Sequence, residues 1–378
     1  MIDHKRNAQV QKIITLLSSS SVIFILVPVL MAVLIAGTVA QKYIGLYESH
    51  KIFFSFFYFW NGVPVPSGLS LLAVFTLSLL ARFLFKSDWS LKKAGIHITH
   101  LGVIILLTGG LASAASQKES YIVIPEGKTG HFISDYHKRE LLILKNEQVL
   151  KRVEFNTIQE NSSLKTQPAL PFEIYVKSTC RNCRIVKREA AEEDGSSKLK
   201  SMAQFMALEK GALEPDDEIN MNGMTLEISG TSNAGDGQYI LFESMPDPIV
   251  LEHKENTYEL ILGKAQRPLP FSITLQDFAK DLYPGTRMAK SYSSEILVRD
   301  GEMQWPARIE MNRPFRYKNF TFFQSSFLEN DKETATVLSV VYNENWPVPY
   351  IASLILVFGL FLHGLIMLCE TKKFRKQV

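Results

Sequence analysis

The chain is short of the features that announce most common activities. Its net charge is only +3 over 378 residues, too small an excess to argue for nucleic acid. No internal repeat occurs, and no low-complexity tract beyond Ser18 to Ser21. No Ser/His/Asp order, phosphate loop or paired acidic site stands out, which argues against a hydrolase. Cysteine is scarce, at three residues, and only Cys180 and Cys183 lie close together. The long apolar runs contain no Asp or Glu. They offer nothing to a hard cation, which binds through oxygen.

What the chain has instead is segregation. Mean hydropathy is near zero, at +0.04, yet apolar runs crowd both ends and a polar stretch fills the middle. Four runs reach the ~18–20 residues needed to span a bilayer: 21–40, 67–85, 95–115 and 348–368. The first follows Lys5, Arg6 and Lys12 but is too long for a signal peptide, and another run soon follows it, so it reads as an uncleaved anchor. Arg82 interrupts the second run near its end and can snorkel. Basic clusters precede the first run, surround the turn between the second and third (Arg82, Lys86, Lys92, Lys93), and follow the fourth (Lys372, Lys373, Arg375, Lys376). If all four runs span, these clusters share one side, which the positive-inside rule makes the cytoplasm. The expectation is a multi-pass protein of the inner (cytoplasmic) membrane with both termini cytoplasmic. Residues 1–115 form three membrane helices, 116–346 an extracytoplasmic (periplasmic) domain, and 347–378 the fourth helix with a basic tail.

The outer domain reads as β-rich, a sandwich or curled sheets, from short alternating segments bounded by turns. The segments are Tyr121 to Ile124, Glu140 to Leu144, Phe172 to Val176, Thr225 to Ile228, Tyr239 to Phe242, Thr257 to Leu262, Phe271 to Thr274, Glu295 to Val298, Ala307 to Met311, Thr321 to Phe323 and Thr336 to Tyr342. Gly195 to Glu218 shows helical spacing around Met202, Phe205, Met206 and Leu208. The aromatic stretch within 43–66, with Phe53, Phe54, Phe56, Phe57, Tyr58, Phe59 and Trp60, reads as an interfacial belt or in-plane helix facing lipid. The sharper alternative is a wall for a flat aromatic ligand.

Ionisable residues inside membrane helices are candidate functional sites. The third run carries His97 and His100, which share one side of a helix. The fourth carries His363. Counting from the run ends puts His100 and His363 at similar depth, near the cytoplasmic side. Gly102, Gly109 and Gly110 let another helix, or a flat ligand, approach the third run. Structural zinc wants four N or S ligands, and Cys369 cannot complete such a set. Haem iron needs one or two axial groups, for which imidazole is standard, so haem leads on physical grounds.

Cys180-Arg181-Asn182-Cys183 is the one close thiol pair. Lys177, Arg181 and Arg184 nearby would lower thiol pKa, but no βαβ unit surrounds it, and the pair reads as structural or incidental. A redox reading would have Cys180→Ser abolish the protein's activity. It is not a covalent haem site, since Arg184 stands where that motif needs His. His131, His137 and His253 have no companions at ligand spacing.

Three blocks carry a resemblance. One is Gly95-Ile-His-Ile-Thr-His100-Leu-Gly through Gly110. Another is Leu269-Pro-Phe-Ser-Ile-Thr-Leu-Gln-Asp-Phe278 with Tyr283-Pro-Gly285. The last runs from Met311-Asn-Arg-Pro314 through Phe322-Phe-Gln-Ser-Ser-Phe327 to Pro349-Tyr350 and Gly359-Leu-Phe-Leu-His363. Together they resemble the ResB/CcsB family of cytochrome c assembly proteins of the system II pathway. The resemblance implies four membrane helices around an outer β domain. It implies a haem b cargo moved outward with a WWD-motif partner of the CcsA or ResC type, and attachment of that haem to the CxxCH cysteines of apocytochrome c. It also implies that the helix-3 histidine, which His100 matches, is an axial haem ligand, with the opposing ligand from the partner; His363 of this chain is the alternative for that second position. No WWD stretch occurs in this chain, so the resemblance implies a non-catalytic or co-catalytic half of a synthase. Partners are then that membrane protein, apocytochrome c and membrane lipid, with no nucleic acid. A haem-free scaffold for the same partners is the rival expectation. Residues 150–250 lie outside the resemblance.

Overall fold

The computed structural model describes residues 2–164, 170–188, 198–232, 235–286, 288–329 and 333–375. The chain divides into two compact units. One comprises Met1–Lys118, Tyr317–Phe320 and Val341–Val378; the other comprises Glu119–Arg316 and Thr321–Val340.

The first unit is helical: α1 (Ile2–Leu17), α2 (Ser20–Phe53), α3 (Gly68–Lys86), α4 (Ala94–Ser116) and α5 (Val348–Arg375). Four helices are long and apolar enough to cross a membrane, in Ser20–Phe53, Gly68–Lys86, Leu91–Ser116 and Val348–Cys369. They match the four expected runs, the second beginning one residue later than expected, at Gly68. Arg82 does not simply reach for water: its Nη1 donates to Ser20 Oγ at 2.6 Å, tying the end of α3 to the start of α2. Helix α1 precedes the first apolar run and has no counterpart among the four expected segments.

The largest departure lies in 43–66. Helix α2 breaks at Gly45, whose φ of 78° is left-handed, a conformation glycine adopts without a Cβ clash. Beyond it the chain doubles back. Ser49 Oγ donates to Gly37 O at 2.6 Å, whereas twelve residues of straight helix would separate them by about 18 Å. A β-carbon on Gly37 would lie 2.5 Å from the Phe54 ring. Next comes a hairpin of β1 (Phe57–Trp60) and β2 (Val63–Pro66). Its two-residue turn, Asn61-Gly62, has φ of 49° and 81°, as a type I′ turn requires. The aromatic stretch is therefore a folded-back helical turn and a hairpin, with Phe57, Phe59 and Trp60 exposed.

Helices α4 and α5 pack antiparallel along a glycine seam. A β-carbon on Gly102 would meet Leu356 N at 2.9 Å, one on Gly109 would meet Val348 Cγ1 at 2.2 Å, and one on Gly359 would meet Thr99 N at 2.5 Å. Small residues let backbones approach this closely. Beyond the seam, Ser113 and Ser116 hydrogen bond Asn343 and Asn345.

The second unit is antiparallel β, and all eleven expected strand segments fall in or at strands. In chain order these are β3 (Lys118–Pro125), β4 (Thr129–Lys145), β5 (Gln148–Glu154), β6 (Ser162–Ser163), β7 (Glu173–Cys180), β8 (Cys183–Lys187), β9 (Met206–Lys210), β10 (Gly223–Ser229) and β11 (Gly237–Phe242). They continue as β12 (Ile249–His253), β13 (Asn256–Leu282), β14 (Ala289–Asp300), β15 (Met303–Glu310), β16 (Phe315–Tyr317), β17 (Phe320–Glu329) and β18 (Thr334–Tyr342). The main sheet runs β15-β14-β13-β4-β3-β18-β17-β16, with β12 pairing β13 and β5 pairing β4. It curls over its own core: Phe271 and Phe278 of β13 meet Phe322 and Phe327 of β17 at 6.0 and 5.4 Å, although three strands separate β13 from β17. A second sheet, β11-β10-β7-β6, closes the other core, where Leu141, Ile174, Leu226 and Leu260 pack together. Strands β8 and β9 pair separately.

The helical spacing expected over Gly195 to Glu218 is not a helix. Residues 195–197 lie outside the described residues. The rest forms a 3-10 turn at Ser201–Gln204, strand β9 and a second 3-10 turn at Asp217–Ile219. Met202, Met206 and Leu208 are apolar because they pack on Ala203, Ile240 and Phe242, not because they line one helical face.

Candidate functional site

Helix α4 begins after a 3-10 turn at Leu91–Lys93, so His97 and His100 fall in its first two turns. Its seam toward α5 is set by Gly95, Gly102 and Gly109. At 100° per residue His100 lies about 140° around the helix from Gly95, and it is exposed. Its Nδ1 lies 2.8 Å from Ile96 O. A carbonyl only accepts, so Nδ1 carries the proton and donates it. The Nε2 lone pair is left for another partner. A histidine whose other nitrogen is held by a backbone carbonyl has the form of a metal-ready ligand.

His97 is arranged differently. Its Nε2 donates to Asp88 O at 2.8 Å. Its ring stacks on Trp89 at 4.7 Å and meets Phe83 edge-on at 6.2 Å. The side chain fastens the α3–α4 turn, with Lys93 paired to Asp88 at 2.8 Å.

His363 corrects the depth expected for it. A β-carbon on Gly95 would lie 2.3 Å from His363 N, so His363 is level with Gly95. Five helical residues, about 7 Å, separate that level from His100. Its Nδ1 is buried and has no hydrogen-bond partner. Gly102 lies under α5, so the close approach there is that of a helix; around Gly110 there is open space. Among the described residues no group of three or more His, Cys, Asp or Glu side chains is placed to hold a metal ion.

The β unit holds a buried ionic cluster absent from the sequence reading. Arg139 is 3% exposed. It donates to Asp217 Oδ2 at 2.9 Å and Glu243 Oε2 at 3.2 Å, and to the carbonyls of His137, Asp217 and Asn220. His137 Nδ1 reaches Asp217 Oδ2 at 2.9 Å. Burial alone would raise the Asp217 pKa, but the His137 hydrogen bond and the Arg139 charge outweigh it and hold the carboxyl at about 2. Arg181 also reaches Asp217, at 3.4 Å. Sequence separations of 78 and 104 residues hid the cluster; no local spacing marks it.

Cys180 and Cys183 are joined in a disulfide. Cys183 is 3% exposed, while Cys180 is only partly buried. Of the cations expected around the pair, Lys177 pairs with Glu227 and Arg181 with Asp217, and Arg184 is exposed. Cys369 is a free thiol.

Two similarities to known proteins stand beside this geometry. Residues 247–354 match the model of the ResB-like family, a stretch running from β12 to the first turns of α5 and not including α4. Protein NrfI of Wolinella succinogenes is 30% identical over 119 residues, which is 31% of this chain and 13% of that protein. The chain thus spans a small part of the length of that relative.

Proposed function

We propose, taking a ResB-like protein as the premise, that this chain is the haem-handling membrane subunit of a cytochrome c maturation system. His100 is the axial ligand on this chain. Haem b is the cargo, and its iron takes an imidazole nitrogen lone pair. The observation that carries the reading is the hydrogen bond from His100 Nδ1 to Ile96 O. It fixes the ring and leaves Nε2 for a ligand arriving at an exposed helix face. His97 has its Nε2 spent on Asp88 O, which makes it a positioning residue for the turn. Lys92 and Lys93, at the start of the same helix, would supply positive charge toward haem propionates, Lys93 exchanging its pairing with Asp88. The second axial ligand comes from a CcsA/ResC-type WWD partner, and His363 instead packs the α4–α5 seam. The chain holds haem for the partner, which attaches it to apocytochrome c. The basic clusters at the helix ends support a topology with both termini cytoplasmic and residues 116–346 outside the cytoplasm.

The test uses the chain purified in detergent with its partner. Wild type should carry a Soret band, His100→Ala should lose or shift it, and free imidazole should partly restore it by filling the vacated position. A haem-free scaffold predicts no band in any variant. A band that survives His100→Ala but is lost in His363→Ala overturns the ligand assignment.

A further inference from the structure

We propose that Cys180 and Cys183 form a dithiol–disulfide exchange site for a polypeptide carrying two closely spaced thiols. The inference rests neither on haem nor on His100.

The bond does little as a staple. It bridges two intervening residues, and a disulfide constrains the unfolded chain less as the loop it closes shortens. The turn is also held without it. Cys183 N donates to Met221 O and Gly211 N to Asn182 O, both at 2.7 Å, while the Asn182 side chain donates to Ala212 O. Cys180 is in register with Gly223 on β10, and Cys183 with Lys210 on β9. The corner between β7 and β8 is therefore fixed by hydrogen bonds that outlast cleavage of the sulfur–sulfur bond.

The two sulfurs differ in access. Cys183 is buried over Gly223, where a β-carbon would lie 2.7 Å from its Sγ. Only Cys180 is partly open. An incoming thiolate attacks Cys180 Sγ, the intramolecular S–S bond breaks, and Cys183 departs as a thiolate that takes up a proton. The second thiol of the incoming dithiol, as its thiolate, attacks its own sulfur in the mixed disulfide. Cys180 is released and protonated, and the incoming pair leaves oxidised. Two electrons pass to the chain. A monothiol lacks the second step, which is why the partner is a dithiol.

The test uses the full chain in detergent and a synthetic peptide with two cysteines separated by two residues. In the folded wild type the peptide should reduce the pair, read as two added maleimide labels. With Cys369 replaced by Ser in both variants, since it is a free exposed thiol, the partly exposed Cys180 of Cys183→Ser should be captured by the peptide in disulfide form, yielding a covalent adduct about tenfold more abundant than with Cys180→Ser, because attack depends on access. A wild-type pair that stays oxidised until denaturant unfolds the chain overturns the proposal. Equal adduct yields from the two variants overturn it as well.

Discussion

Gly95 and His363 meet backbone to backbone: a β-carbon on Gly95 would lie 2.3 Å from His363 N and 2.5 Å from its Cα. Backbone cannot rotate aside as a side chain can. Gly95→Ala should therefore push α4 from α5 and destabilise the helical unit by about 1–3 kcal/mol, the range for overpacking. Gly110→Ala, which meets nothing within 4 Å, should be neutral or slightly stabilising. Thermal unfolding of the two variants in one detergent checks the contrast.

His97 should be replaceable by a ring that cannot ligate. His97→Phe preserves the stack on Trp89 and loses only the hydrogen bond to Asp88 O, worth about 1 kcal/mol. Haem content per mole of protein should stay near wild type. Loss of haem in this variant, with retention in His100→Ala, would show that the wrong imidazole was chosen.

Asp217 makes the β unit acid-sensitive in a defined window. Its folded pKa of about 2 lies below its ordinary value of 3.8. Its contribution is thus complete above pH ~4 and is lost as pH falls toward 2. Asp217→Asn should flatten that dependence. It also removes one of two carboxylates from buried Arg139, at a cost of about 3–5 kcal/mol. Urea unfolding from pH 7 down to pH 2 measures both effects.

A closed polar network inside the curled sheet should respond to loss of one member. Ser294 Oγ donates to Gln324 Oε1 at 2.7 Å, and Gln324 Nε2 donates to Thr336 Oγ1 at 2.9 Å. All three residues are buried. Gln324→Ala should cost about 1–3 kcal/mol, since it strands buried hydroxyls. Chemical denaturation followed by near-ultraviolet circular dichroism reports it.

The proposed orientation is checked by reporter fusions at Gly195 and after the C-terminus. Alkaline phosphatase should be active at the first and inactive at the second. A cytoplasmic signal at Gly195 would refute the topology.

Legibility followed the length over which each signal repeats. Strands such as β10 and β18 were readable because every second residue faces a core, a local pattern. The membrane helices were readable from composition alone. The fold-back after Gly45 was not, because one glycine inside a helix is compatible with an unbroken one, and only Ser49 meeting Gly37 reveals the turn. Met202, Met206 and Leu208 imitated helical periodicity while answering to a shared core. At the site, His100 and His97 were found together as imidazoles. Their division of labour depends on which nitrogen meets a carbonyl, which no spacing encodes. The Arg139 cluster joins residues too far apart in the chain to leave a local trace.

The Ser113–Asn343 and Ser116–Asn345 contacts have a thermodynamic reach beyond their few hydrogen bonds. Strands β3 and β18 are neighbours in the sheet, with Glu126 N donating to Thr334 O at 2.9 Å. The folded β unit therefore gathers its own two ends and hands α4 and α5 to each other at high effective concentration. Were that unit unfolded, the helices would have to find each other across a slack loop of more than two hundred residues, at a closure cost of about (3/2)RT ln n. Conversely, a formed helix pair shortens the search of β3 for β18. Each unit thereby acts as a tether for the other, and damage deep in the sheet should surface as weaker pairing of the two helices that bear His100 and His363.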